Sequence, residues 1–183
     1  IDLKHPRGAE IVRRLVPHYD VVVENFKPGT MERPGLGYEA LQAVNPRVVY
    51  CAISGFGQDG PDALKSGHDL NYMGIAGALQ LFGTPGTGPI VPGLSIADVG
   101  GGSLMAAFGI LTALAARDRT GKGQFVDISM TDGLVSWLCY HAADYLFAGV
   151  EPRGGVQRFL GGAPCYNVYR CADNLHLTLG IIE

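Results

Sequence analysis

The chain is expected to be an α/β protein with a parallel sheet, and three features of its sequence carry that expectation. Two short β-branched runs, Asp20 to Glu24 and Val48 to Ile53, are each preceded by a stretch of helical spacing. Both runs are apolar between their ends, the pattern of strands covered on two faces. Each then releases the chain into a polar, glycine-bearing loop, Asn25 to Gly29 and Ser54 to Pro61. Ligands of open α/β sheets bind beyond the carboxyl ends of the strands, where such loops lie.

The elements follow in order. Pro6 to Leu15 predicts a short helix, with proline in its first turn and Ala9, Ile11, Val12 and Leu15 at helical spacing. The first strand comes next, then a helix from Tyr38 to Val44 closed by Asn45-Pro46, then the second strand. Leu70 to Leu81 reads as a helix whose Gly74, Ala76, Gly77 and Ala78 allow close packing, and Thr84 to Pro92 reads as a loop. A long helix is expected from Asp98 or Val99 to Ala116; small and apolar residues on most of its faces imply burial on all sides.

Thr120 to Gly123 is a turn, Gln124 to Ile128 alternates as a strand, and Ser129 opens a helix running through Trp137 towards Phe147. Gly149 to Gly162 reads as a linker or an active-site loop. Beyond it, Tyr166 to Cys171 and His176 to Ile182 read as an antiparallel pair joined by Ala172 to Leu175. That change of texture divides the chain into residues 1–149, a large parallel-sheet domain with its following helices, and residues 150–183, a linker and the start of a smaller second domain.

Composition narrows the function classes. With 17 acidic against 14 basic residues and a net charge of -3, the chain lacks the basic excess that nucleic acid or an anionic membrane surface would require. The most apolar segment, Leu104 to Ala116, gives way to Arg117, Asp118 and Arg119, so no membrane span is expected. Four scattered cysteines and no signal-peptide pattern predict free thiols in a reducing compartment. The expected location is the cytoplasm, or the peroxisome or mitochondrion of a eukaryotic cell. An opening at Ile1 without methionine and a closing apolar run, Leu177 to Glu183, suggest a piece of a longer polypeptide.

Candidate chemistry concentrates at two places. Asp98 precedes Gly100, Gly101 and Gly102 at the start of the long helix. It reads either as an ordinary helix N-cap or as a carboxylate held where the helix dipole favours its charge and missing side chains leave room for a ligand. His68, in Gly67-His68-Asp69, reads either as a surface histidine beside an N-capping aspartate or as a proton carrier. Lys27 and Arg33, after the first strand, are suited to a phosphorylated ligand, whereas Arg47, Lys65 and Lys122 read as solvated charge. No P-loop, GxGxxG or GxSxG motif is present. Cys165, Cys171 and His176, spaced C-x5-C-x4-H, do not have zinc-site spacing and read as structural thiols and a plain histidine, so no metal is expected.

Several blocks in one order resemble the family III CoA-transferase and acyl-CoA racemase superfamily. They are Asp2-Leu3-Lys4, Val23 to Gly29, Leu36 to Glu39, Asn45 to Arg47, Ile53 to Pro61 and Thr120 to Asp127. The resemblance covers essentially the whole chain and implies an interlocked homodimer with a large Rossmann-like domain and a smaller one. It also implies a missing first strand and helix, and about half of the protein beyond Glu183.

Asp98 matches the family's catalytic aspartate, an acyl-anhydride carrier in transferases and a proton carrier in racemases. Gly67 to Tyr72 resembles the racemase branch, in which His68 would be the second proton carrier; transferases more often have an aromatic residue there. Glu183 matches a glutamate that orients this histidine. Lys27 stands where the family more usually has arginine before Pro-Gly. The resemblance thus implies epimerisation of 2-methylacyl-CoA thioesters in lipid metabolism, with CoA transfer as the alternative. Coenzyme A is then part of the substrate, and no separate cofactor is implied.

Overall fold

The computed structural model describes residues 1–183. Helix α1 (Pro6–Leu15) leads through a 3-10 turn (Val16–His18) to β1 (Val21–Glu24), and α2 (Tyr38–Val44) leads to β2 (Val49–Ser54). Then come α3 (Asp69–Ile75) and a small hairpin of β3 (Gly83–Thr84) and β4 (Gly88–Pro89). A π-helical segment, Ala97–Leu104, runs directly into α4 (Met105–Thr120), which delivers the chain to β5 (Phe125–Ser129). Helices α5 (Met130–Ser136) and α6 (Cys139–Ala148) follow, and the chain closes with β6 (Tyr166–Arg170) and β7 (His176–Gly180).

The expected parallel sheet is present: β1, β2 and β5 lie side by side in that order, every pairing parallel. Central β2 is the most buried element because it has a strand on each edge and helices on both faces. Its alternate side chains divide between the two faces. Tyr50 and Ala52 join Ala9, Leu36 and Leu41 in a core against α1 and α2. On that face Phe125 stacks on Tyr50 with ring centroids 5.7 Å apart. Gly109 of α4 faces Val126 and Ile128 of β5 on the other face. A second core unites Tyr72 and Met73 of α3, Ala97 of the π-helical segment and Leu134 of α5.

The structure corrects several sequence expectations. The helix foreseen from Leu70 to Leu81 stops at Ile75, because Gly77 takes a left-handed conformation (φ 81°) and Ala78–Leu81 continues as a 3-10 turn. The loop foreseen from Thr84 to Pro92 contains most of the β3–β4 hairpin. The single helix expected after Ser129 is two, because Trp137 and Leu138 donate to carbonyls three residues back, Leu134 and Val135, and tighten the turn. The long helix begins with eight π-helical residues, and it ends at Gly121 (φ 73°), beyond Ala116, with Arg117 and Arg119 in its last turn.

Burial of that long helix on all sides is also corrected. Ala106 and Ala113 are buried, but Leu104, Phe108 and Leu111, one helical stripe, stay exposed at 57%, 68% and 66%. Taken as one continuous helix, Ala97–Thr120 is long and apolar enough to cross a membrane by length and composition, contrary to the reading of the unbroken apolar run. Its inner face nevertheless contacts β2 and β5 in the manner of a core helix. The β6–β7 pair is antiparallel as expected, with Tyr166 opposite Gly180 and Arg170 opposite His176. It forms a sheet separate from the parallel one.

Candidate active site

The carboxyl ends of all three parallel strands open onto one cleft of about 600 Å³. Asn25, Phe26 and Lys27 follow β1, Ser54 and Gly55 end β2, and Met130 follows β5. The far wall is the turn before α3, with Lys65, Ser66, Gly67 and His68, together with Tyr72, Asp98 and Ser103. The cleft thus occupies the position that a parallel sheet leaves free for ligands. A hollow of about 500 Å³ beside Tyr38 and Phe125 lies at the opposite, amino end of β5 and holds neither His68 nor Asp98.

His68 and Asp98, 30 positions apart in the chain, line the same cleft. His68 occupies the N-cap position of α3 with extended backbone, and its N–H donates to Asn71 Oδ1 at 3.0 Å. The next residue, Asp69, is not the N-cap that the sequence suggested: it is the first residue of α3, and its Oδ1 accepts from the N–H of Ala97 at 2.7 Å and of Asp98 at 3.0 Å. This overturns the N-cap reading of Asp98. The π-helical segment begins at Ala97, Asp98 sits in its first turn, and the carboxylate satisfying those free N–H groups comes from Asp69.

Burial pushes the Asp98 carboxyl above the usual aspartate range, the charge of Asp69 pushes it further up, and His68 partly offsets both. Asp98 therefore holds a proton more readily than an isolated aspartate. Tyr72 fixes the other side of the site. Its ring lies where side chains on Gly55 and Gly67 would be, within 2.4 and 2.7 Å of the added Cβ positions, and its hydroxyl donates to the Gly67 carbonyl at 2.5 Å. Phe56 meets that ring edge-on, 5.3 Å away between centroids. Burial and then the Asp98 charge raise the Tyr72 phenol, keeping it a donor.

The remaining expected residues separate. Lys27 lines the cleft and donates to Ser66 Oγ at 2.5 Å. Arg33 donates to Thr30 Oγ1 at 3.2 Å and lines an adjoining cavity of about 660 Å³ with Lys4, and Phe26 borders both spaces. Gly100 and Gly101 open no room for a ligand. A Cβ on Gly100 would meet the Trp137 ring at 2.4 Å, and one on Gly101 would meet the Met130 carbonyl at 2.3 Å, so both glycines serve the contact with α5. Glu183 is exposed beyond β7, does not line the cleft and makes no ion pair with His68. Cys165 and Cys171 are free thiols, and no three His, Cys, Asp or Glu side chains gather as metal ligands.

Three cleft residues escaped the sequence reading. Lys65 passed for solvated charge, although it lines the cleft and pairs with Asp62 at 2.6 Å. Ser54, the last residue of β2, lines the cleft, is 7% exposed, and has a buried hydroxyl without a partner. Its place at the end of an apolar run was a usable signal. Tyr72, four residues after His68, figured only as the end of the Gly67 to Tyr72 block, with no role of its own.

An imidazole and a carboxyl of raised proton affinity lining one cleft beyond a parallel sheet define an α/β protein equipped for acid–base or acyl-transfer chemistry. Residues 1–183 match CoA-transferase family III in full, and the chain belongs to that family. Human alpha-methylacyl-CoA racemase is 46% identical over 183 residues, covering 100% of this chain and 48% of the relative. Succinyl-CoA–D-citramalate CoA-transferase of Chloroflexus aurantiacus is 39% identical over 98% of this chain and 44% of its own. The crystal structure of a CAIB/BAIF family protein from Brucella suis superposes with a TM-score of 0.85 at 38% identity, covering 94% of this chain and 45% of the other. The chain spans about half the length of the curated relatives it matches. Both racemases and transferases occur among them, and the family's chemistry on CoA thioesters is common to both.

Proposed function

We propose that the full-length protein epimerises the α-carbon of 2-methylacyl-CoA thioesters by proton transfer between two carriers, His68 and Asp98. The observation that carries this reading is that the two side chains line one cleft at the carboxyl ends of the parallel strands. A thioester carbonyl acidifies the adjacent C–H. One carrier takes that proton, leaving an enolate, and the conjugate acid of the other returns a proton to the opposite face. Raising Asp98 brings its proton affinity nearer that of an imidazole, which helps transfer in both directions.

Lys27 and Lys65 supply positive charge for the CoA phosphates or the developing enolate, and Arg33 supplies it in the adjoining cavity. The similarity to human and mouse racemases, 46% and 41% identical, supports the same reading. The working unit in this proposal is a homodimer, checked by sedimentation of the full-length protein.

Transfer of CoA between carboxylic acids is the second reading, and the comparisons by name favour it more broadly. The family is described by that activity, and transferases of succinyl-CoA with citramalate or glutarate are among the relatives. In that reaction the Asp98 carboxylate attacks the thioester carbonyl, the CoA thiolate departs, and an acyl anhydride remains for the acceptor to resolve.

The test uses full-length protein and one 2-methylacyl-CoA epimer in deuterated water without added carboxylate. Epimerisation with α-deuterium uptake is the expected result. Turnover that requires an added carboxylate, with an Asp98 acyl adduct captured by hydroxylamine, would replace the first reading by the second.

A further inference from the structure

We infer that Asp69 is a positioning residue for the reaction at this cleft: its carboxylate ties the turn carrying His68 to the helical turn carrying Asp98 and holds the two side chains at a fixed separation. The inference deepens the proposed two-carrier reading and rests on it. Asp69 directly follows His68, and its single oxygen Oδ1 receives two N–H groups, Ala97 at 2.7 Å and Asp98 at 3.0 Å. The second of these belongs to Asp98 itself, so one carboxylate joins the two carriers through two bonded neighbours. Hydrogen bonds to a charged acceptor are among the stronger ones, and these span 28 and 29 positions of sequence.

The surroundings make the tie consequential. Asp98 stands in a π-helical turn, whose hydrogen bonding is less regular than that of an α-helix, so an external acceptor at its first N–H groups helps decide where the turn starts. His68 is held locally within its own turn: its backbone N–H donates to Asn71, and the Gly67 carbonyl before it accepts from Tyr72. Reaction rates are sensitive to carrier placement: a displacement of about 1 Å costs on the order of a hundredfold.

The same carboxylate acts on Asp98 through its charge, raising it after burial has done so. The other ionisable groups facing Asp98 are His68 and Tyr72 from the α3 side and Lys27 and Lys65 across the cleft, while α5 presents the uncharged Met130. Removing the negative charge of Asp69 therefore lowers the pH at which Asp98 ionises.

The test compares wild-type full-length protein with Asp69→Asn and Asp69→Ala. In the wild type, NMR should show the amide protons of both Ala97 and Asp98 coupled through their hydrogen bonds to the Asp69 carboxylate carbon. Absence of both couplings would overturn the tie, even if neither variant folds. In Asp69→Asn, whose amide oxygen still accepts both bonds, the ¹³C-labelled Asp98 carboxyl should titrate lower and the acidic limb of kcat/KM should move the same way. In Asp69→Ala, kcat should fall on the order of a hundredfold with little change in KM. An unshifted Asp98 titration together with an unaltered rate would overturn the inference. Wild-type protein that exchanges no α-proton, yet shows both couplings, would leave the tie standing and overturn the proposed reaction instead.

Discussion

Gly101 and Gly133 meet backbone to backbone: a methyl group added at Gly133 would stand 2.1 Å from the Gly101 carbonyl oxygen. The contact seats α5 against the π-helical segment that carries Asp98, so absence of side chains here governs the placement of a functional one. Gly133→Ala should destabilise the fold by about 2 kcal/mol, because overpacking against fixed backbone outweighs the gain in helix propensity. Gly74→Ala, on α3 with nothing within 4 Å of the added Cβ, should instead be neutral or stabilising by up to about 1 kcal/mol. Urea unfolding of the pair provides the comparison, and equal effects would refute the close-packing argument.

Asp98→Asn should lower epimerisation by about 10²- to 10⁴-fold, the range of a lost general acid or base. Stability should move the other way. A carboxyl whose folded pKa lies above its unfolded value binds more protons in the folded state, so its penalty sets in as pH rises above the ordinary value of 3.8 and is complete once pH exceeds the folded value. The asparagine variant should therefore melt at or above the wild-type Tm at neutral pH, and this advantage should vanish below pH 3.8. Melting curves at the two pH values check the sign.

His68→Ala should abolish epimerisation while sparing α-deuterium exchange for one substrate epimer, the one whose proton Asp98 removes. Proton NMR of each epimer in deuterated water reads this directly. Near-normal epimerisation by the variant would end the two-carrier assignment.

Lys27→Ala should weaken binding of the CoA ester by about tenfold, the scale of one lost charge-assisted hydrogen bond. Lys27→Arg should retain most of the affinity. Arg33→Ala should weaken binding of CoA itself, because Arg33 lies in the cavity that shares Phe26 with the cleft. Calorimetric titration separates these effects, and an unchanged Kd for CoA would remove Arg33 from the site.

Tyr72→Phe should cost about 1 kcal/mol of stability through loss of the hydroxyl bond to Gly67, while its ring keeps the gap between Gly55 and Gly67 filled. A larger loss, measured by urea unfolding, would mean that the phenol holds more of the site than this single bond.

The sequence by itself determined the elements whose cause is local. The β-branched runs specify β1 and β2, proline and helical spacing specify α1, and the spacing of Tyr166 to Cys171 from His176 to Ile182 specifies the closing hairpin. Asp98 and His68 were legible as candidates beside an ordinary capping or surface reading, and the family resemblance is what assigned them roles.

Tertiary structure decided what those residues meet. Whether the glycines after Asp98 faced a ligand or a helix depended on where Trp137 and Met130 arrived, and those residues lie more than 25 positions away. The same holds for Asp69, whose side chain leaves its own helix to satisfy Ala97 and Asp98, and for Lys27 and Arg33, six residues apart yet in different cavities. Periodicity and propensity act over a few residues. The carboxylate tie, the close crossing of glycines and the shape of the cleft are long-range contacts, and they exist only once the sheet has brought distant segments together.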